Sequence, residues 1–170
     1  DGTFRETALL AGAALTAEGK AEASMGVDAG DFDNDGDEDL VMTELTSQGF
    51  NVYVNDGSGR FRDQSAASGL GPMSQPFTGW GTSWFDYDND GLLDTFSANG
   101  TIIALEGHQG VSFPYDQRRM LIRNAGNGRF EDVSAKAGAA FTATEAGRGA
   151  AFGDVDNDGD VDILVGNDAG

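Results

Sequence analysis

Three stretches of this chain crowd carboxylates at one spacing. Residues 31–39 read DFDNDGDED, residues 86–94 read DYDNDGLLD and residues 154–162 read DVDNDGDVD. Positions 1, 3, 5 and 9 of each nine-residue box are Asp: Asp31, Asp33, Asp35 and Asp39; Asp86, Asp88, Asp90 and Asp94; Asp154, Asp156, Asp158 and Asp162. Position 4 is always Asn and position 6 always Gly, while position 7 varies as Asp37, Leu92 and Asp160. Carboxylates this close repel one another, so the run is either solvated or held by a cation. A solvated acidic tail would not keep one frame three times, nor place Leu92 and Leu93 inside it. Alternate acids around a glycine make a calcium loop: the chain curls round the ion, every second side chain points inward, and Gly permits the bend. A backbone carbonyl at position 7 would leave that side chain free to vary. Four carboxylates and one carbonyl approach the six to eight oxygens calcium takes, whereas magnesium prefers fewer protein ligands and stricter geometry. The boxes are not EF-hands, which need a bidentate Glu at position 12; those places hold Met42, Ser97 and Val165. Nor are they calcium β-rolls, whose nonapeptides run in tandem.

The elements that must carry the boxes also repeat. GTFRETA begins at Gly2, GRFRDQSA at Gly59 and GRFEDVSA at Gly128, and the boxes themselves are 55 and 68 residues apart. A small-residue strand precedes each box (MGVDAG, WGTSWF, GAAFG) and another follows it (LVMTE, DTFSAN, DILVG). A third reads NVYVN or MLIRN. A Gly-rich turn, DGSG or AGNG, then leads into a fourth, RFRDQS or RFEDVS. LTAEGKAEA falls in a connector. Four antiparallel strands per repeat of this length make a β-propeller blade. The expected fold is all-β, about three four-stranded blades forming a partial propeller or an open blade array. Residues 1–170 form one repeat domain, and the extra length of the second unit lies in an insertion at 100–118, between its strands 2 and 3.

The boxes between strands, recurring at blade spacing, resemble the FG-GAP/VCBS repeats of integrin α-subunit propellers. The N-D-G-x-G-x-F style of the following segments is similar to the bacterial FG-GAP-like repeat proteins, including those with a UnbV/ASPIC domain. The resemblance implies three Ca2+ ions per chain. Their ligands would be the twelve Asp side chains named above, with the backbone carbonyls of Asp37, Leu92 and Asp160. It also implies that each ion ties strand 1 to strand 2 of its blade, in a structural role. Similar proteins form seven-bladed rings, and three repeats are too few to close one.

The 29 acidic and 10 basic residues leave a net charge of -19, which argues against nucleic acid and anionic membrane as partners. Fifteen of the acids lie in the boxes, so the charge is local to the motif. Cysteine is absent, so disulfides and thiolate sites play no part. No run approaches the ~20 apolar residues of a membrane span. Low-affinity calcium modules suit a calcium-rich exterior, so a secreted or cell-surface location is expected, with the periplasm as an alternative.

Blade topology puts the boxes and Gly turns on one face and the insertion on the other. The insertion holds the only His, His108, with Glu106, Phe113, Tyr115 and Arg118. Exposed aromatics on a long loop suit recognition. His108, Phe113, Tyr115 and Trp80 are therefore the candidate partner-binding residues, although packing between blades also explains Trp80 and Trp84. Asn99-Gly100-Thr101 forms a glycosylation sequon, for which chance occurrence is the default reading. No nucleophile–base pair or nucleotide loop stands out, so the chain is read as a non-enzymatic adhesion or interaction scaffold. The alternatives are a self-assembling ring or fibre and an accessory glycan-binding part of a larger enzyme. Candidate partners are a protein or glycan ligand, copies of the chain, or further blades of a longer one. A strand 4 is expected at residues 3–7.

Overall fold

A computed structural model describes residues 2–103 and 115–168. The first blade is a four-stranded antiparallel sheet in chain order: β1 (Gly26–Gly30), β2 (Asp39–Thr43), β3 (Asn51–Asn55) and β4 (Phe61–Asp63). The second is built alike from β5 (Gly79–Phe85), β6 (Asp94–Asn99), β8 (Met120–Asn124) and β9 (Phe130–Asp132). The short β7 (Gln117–Arg118) pairs instead with β10 (Thr144–Glu145). Two further strands, β11 (Gly147–Gly153) and β12 (Asp162–Asn167), pair with each other. The described residues thus form an all-β array of blade-like sheets without a closed barrel, as the strand pattern predicts.

One register recurs at every box. Gly30 pairs with Asp39, Phe85 with Asp94, and Gly153 with Asp162. The box is therefore the connection between strands 1 and 2, and its ninth residue opens strand 2.

The first strands β1, β5 and β11 pack against one another in turn, as inner blade strands do. That crowding explains their small residues. A Cβ on Gly26 would lie 1.8 Å from the carbonyl oxygen of Trp80, and one on Gly81 2.3 Å from the backbone nitrogen of Ala150. Asp28 ties two of these strands together, accepting from Ser83 Oγ (2.6 Å) and the Trp84 NH (2.8 Å).

Two apolar clusters fill the gaps between sheets. Phe32, Trp84 and Phe130 lie together between the first and second blades, with ring centroids 5.4–5.8 Å apart. Phe85, Phe96 and Phe152 do the same between the second and third sheets. A fully buried phenylalanine stabilises such a core by roughly 1.5–3 kcal/mol. Phe32 is position 2 of the first box, so the acidic loop is anchored through its one aromatic side chain.

One expectation changes, and two features come into view. Residues 3–7 form no strand, and Phe4 is fully exposed. The connectors after strand 4 carry short helices, α2 (Ser65–Ser68) and α3 (Leu70–Ser74) in one case and α4 (Ala139–Thr142) in the other, while α1 (Ala8–Ala11) precedes β1. Segments such as SAAS lack the length for a visible helical period, so sequence reading misses them. The sequon is closed: Asn99 is fully buried, accepting from Ser97 Oγ and donating to the Arg118 carbonyl.

Candidate metal centres

Each box folds by the same local rules. Position 4 takes a left-handed conformation at Asn34 (φ 61°), Asn89 (58°) and Asn157 (62°), and position 6 does so at Gly36, Gly91 and Gly159. Asparagine and glycine are the residues that tolerate this region, which gives the invariant Asn a reason that composition alone does not supply. The turn reverses twice, and its NH groups point at the first carboxylate. Asp31 accepts from the NH groups of Asp35 (2.9 Å) and Gly36 (3.0 Å). Asp86 accepts from those of Asp90 and Gly91, and Asp154 from those of Asp158 and Gly159. Position 5 in turn accepts the NH of position 7 in all three: Asp37 on Asp35, Leu92 on Asp90, Asp160 on Asp158.

These bonds gather carboxylates. Asp31, Asp33 and Asp39 each bring an oxygen within 4.8 Å of the others; so do Asp86, Asp88 and Asp90, and Asp154, Asp156 and Asp162. Acidic groups with such a geometry could hold a metal ion. The first box supplies the test of fit. Asp39 is fully buried; its Oδ1 accepts the Asn55 NH (2.8 Å), but its Oδ2 has no hydrogen-bond partner. Burial pushes its pKa up to about 6; the NH groups of Asn55 and Phe32 oppose the shift, and the charges of Asp33 and Asp35 add to it. Burial likewise raises Asp33. A buried carboxylate satisfied on one oxygen, beside two further carboxylates, favours a proton or a cation. An oxygen-only donor set of this kind suits a hard cation, calcium above all.

The second box differs. Asp94 is equally buried and its pKa is raised by burial, yet both of its oxygens are bonded, to the NH groups of Asn124 (2.7 Å) and Tyr87 (3.0 Å). Leu93 joins the core, and Leu92 lies over the β8–β9 turn. Arg123 bonds Asp88 and Asp90, 2.9 Å to each. In the third box all nine residues are exposed, and Asp162 accepts the Val155 NH.

Asn55 and Asn124, which close the first two boxes from strand 3, were not singled out in the sequence. The signal was present: both end the third strand of their repeats, in NVYVN and MLIRN. Their side chains reach further. Asn124 Nδ2 donates to the carbonyls of Phe32 (2.8 Å) and Leu93, and Asn55 Nδ2 to that of Glu38. Asn34 Nδ2 donates to the Gly91 carbonyl (3.2 Å), so the first two boxes touch.

Of the candidate partner-binding residues, His108 and Phe113 lie outside the described residues, as does Glu106. Tyr115 is exposed. Trp80 is engaged within the molecule: its Nε1 donates to the Gly100 carbonyl (2.7 Å), and the Arg148 guanidinium lies over its ring at 4.8 Å. Trp84 stacks on Phe32 in the core.

The sheets and their acidic loops together define a β-propeller-like repeat protein whose loops gather carboxylates that could hold a metal ion. The family model of the FG-GAP-like repeat matches residues 31–97 and 110–165, so the chain belongs to the FG-GAP repeat family. A search of curated proteins returned no match.

Proposed function

We propose that this chain is an extracellular, calcium-stabilised repeat module that serves as an adhesion or interaction scaffold. The observation that carries the calcium reading is the unpartnered, buried Oδ2 of Asp39 beside Asp31 and Asp33. The same fold of loop around Asp86 and Asp154 extends it to three sites. In each, the side chains at positions 1, 3, 5 and 9, with the carbonyls of Asp37, Leu92 and Asp160, would hold the ion. Bound calcium supplies positive charge that lets the carboxylates approach. The chain's own part is to fix them: the NH groups of positions 5 and 6 orient the first carboxylate, and the strand register sets the ninth. Binding to the folded chain alone stabilises it by about 3 kcal/mol per site at a hundredfold excess over Kd.

The scaffold reading rests on the family. Partners would meet the face opposite the boxes, where Tyr115 is exposed. The test is native mass spectrometry in millimolar calcium, repeated after chelation. Three ions per chain, lost on chelation, are expected. A chain that retains none removes the calcium assignment. Assembly into a larger complex in calcium would favour the self-assembling alternative.

A further inference from the structure

The second box contains a cation of its own, and the described residues of the other two do not. Arg123 sits on β8 and reaches over the loop. Its Nε donates to Asp88 Oδ2 and its second terminal nitrogen to Asp90 Oδ2, each at 2.9 Å. Among the described residues no other ion pair involves a box carboxylate. The matching place on β3 is Val54, as the shared registers show: Asn55 and Asn124 each close their box, one residue further on. The three loops therefore carry different charges. Box 1 has six acids and box 3 five, with no basic partner among the described residues, whereas box 2 has four acids and one arginine.

We propose that Arg123 is the built-in counterion of the second box: it holds Asp88 and Asp90 together without an ion and makes this the weakest of the three calcium sites. The inference rests on the calcium reading above. A guanidinium is planar and permanently charged, and its fork can bond two carboxylates at once. Here it brings positions 3 and 5 side by side, and the clustered trio in this box is Asp86, Asp88 and Asp90, whereas positions 1, 3 and 9 cluster in the other two. The same charge lies close to the place an ion would take and repels it. The remaining features of box 2 lean the same way. Asp94 is satisfied by two NH groups, and Leu92 replaces the acid found at position 7 elsewhere. Blade 2 can stand without calcium; blade 1 has no such substitute.

The three box glycines give a site-by-site readout. The NH groups of Gly36, Gly91 and Gly159 each donate to the first carboxylate of their own box. Calcium titration of the 15N-labelled chain, followed at these amides, reports each site separately. In the wild type, Gly91 should saturate at the highest calcium concentration. In Arg123→Gln its affinity should rise about fivefold to tenfold, as expected for removing a unit charge a few ångströms from a divalent ion in a largely aqueous setting. Gly36 and Gly159 should not change, and melting in chelator should fall. If the Gln variant does not fold, Arg123→Lys keeps a charge but loses the fork, and a smaller rise, about twofold to threefold, is expected. An unchanged or weaker affinity at Gly91, with Gly36 and Gly159 still responding, overturns this inference and leaves the calcium reading intact. No response at any of the three glycines in the wild type overturns both.

Discussion

Blade 1 buries Asp39 and Glu44, and each keeps one oxygen without a hydrogen-bond partner. Blade 2 places Asp94 and Asn99 at the same points of the same strand, and both side chains are fully engaged, Asp94 by two backbone NH groups and Asn99 by Ser97 and Arg118. The two sheets share strand order and, at the box end, register, although β5 carries an irregularity between Gly79 and Thr82, near Asn99, that β1 lacks. One blade architecture thus treats its buried carboxylate in two ways: blade 2 bonds both oxygens of Asp94 with backbone NH groups, and blade 1 leaves Asp39 open on one side. On the calcium reading proposed above, blade 1 depends on the ion more than blade 2 does.

The largest effect expected is the unequal response to chelation. The NH groups of Asn55 and Asn124 are paired probes, since each donates to the ninth carboxylate of its box. Chelation should lower stability by several kcal/mol in all, at about 3 kcal/mol per well-occupied site. In hydrogen exchange, Asn55 should lose protection by a larger factor than Asn124. Equal losses would erase the distinction between the blades.

Next come the two isosteric substitutions at position 9. Asp94→Asn sets an amide NH2 against a backbone donor and should cost about 1–3 kcal/mol with or without calcium. Asp39→Asn removes a buried charge and keeps an oxygen for the Asn55 NH. In chelator it should be neutral or stabilising by about 1–2 kcal/mol, while in calcium it should destabilise. Urea unfolding of both variants in calcium and in chelator checks the reversal, and a parallel response of the two would break the comparison.

Glu44 sharpens it from the other end of the strand. Burial, helped by the charge of Glu22, pushes its pKa up to about 7 from the usual 4.5, although its hydrogen bond from Ser24 opposes the shift. The folded state then holds a proton that the unfolded chain releases. Stability attributable to this group is full below about pH 4.5 and is lost as pH rises to about 7. Glu44→Gln should remove that slope and raise stability at pH 8 by about 2 kcal/mol, read from urea unfolding between pH 5 and 8. The buried Asn99 of blade 2 has no such slope to lose.

The smallest effect concerns the contact between the boxes. Asn34→Gly keeps the left-handed turn and removes only the bond to the Gly91 carbonyl. A loss of about 0.5–1 kcal/mol is expected, with the calcium stoichiometry unchanged.

What the sequence determined by itself is what lies within a few residues. The loop frame, the glycine bend, the strands on either side and the Gly-rich turns depend on contacts between near neighbours, and the first carboxylate finds its donors four and five residues away. Such bonds close with little loop entropy, so type and spacing suffice to foresee them. The short helices escaped because four or five residues show no period, and the expected strand at 3–7 failed because a strand needs a neighbour. Tertiary structure alone decided the rest. Asn124 meets Phe32 across 92 residues and Arg123 meets Asp88 across 35. Asp39 differs from Asp94 in how closely the NH of position 2 engages its second oxygen. Those outcomes depend on how one sheet seats against the next, which no nine-residue pattern encodes.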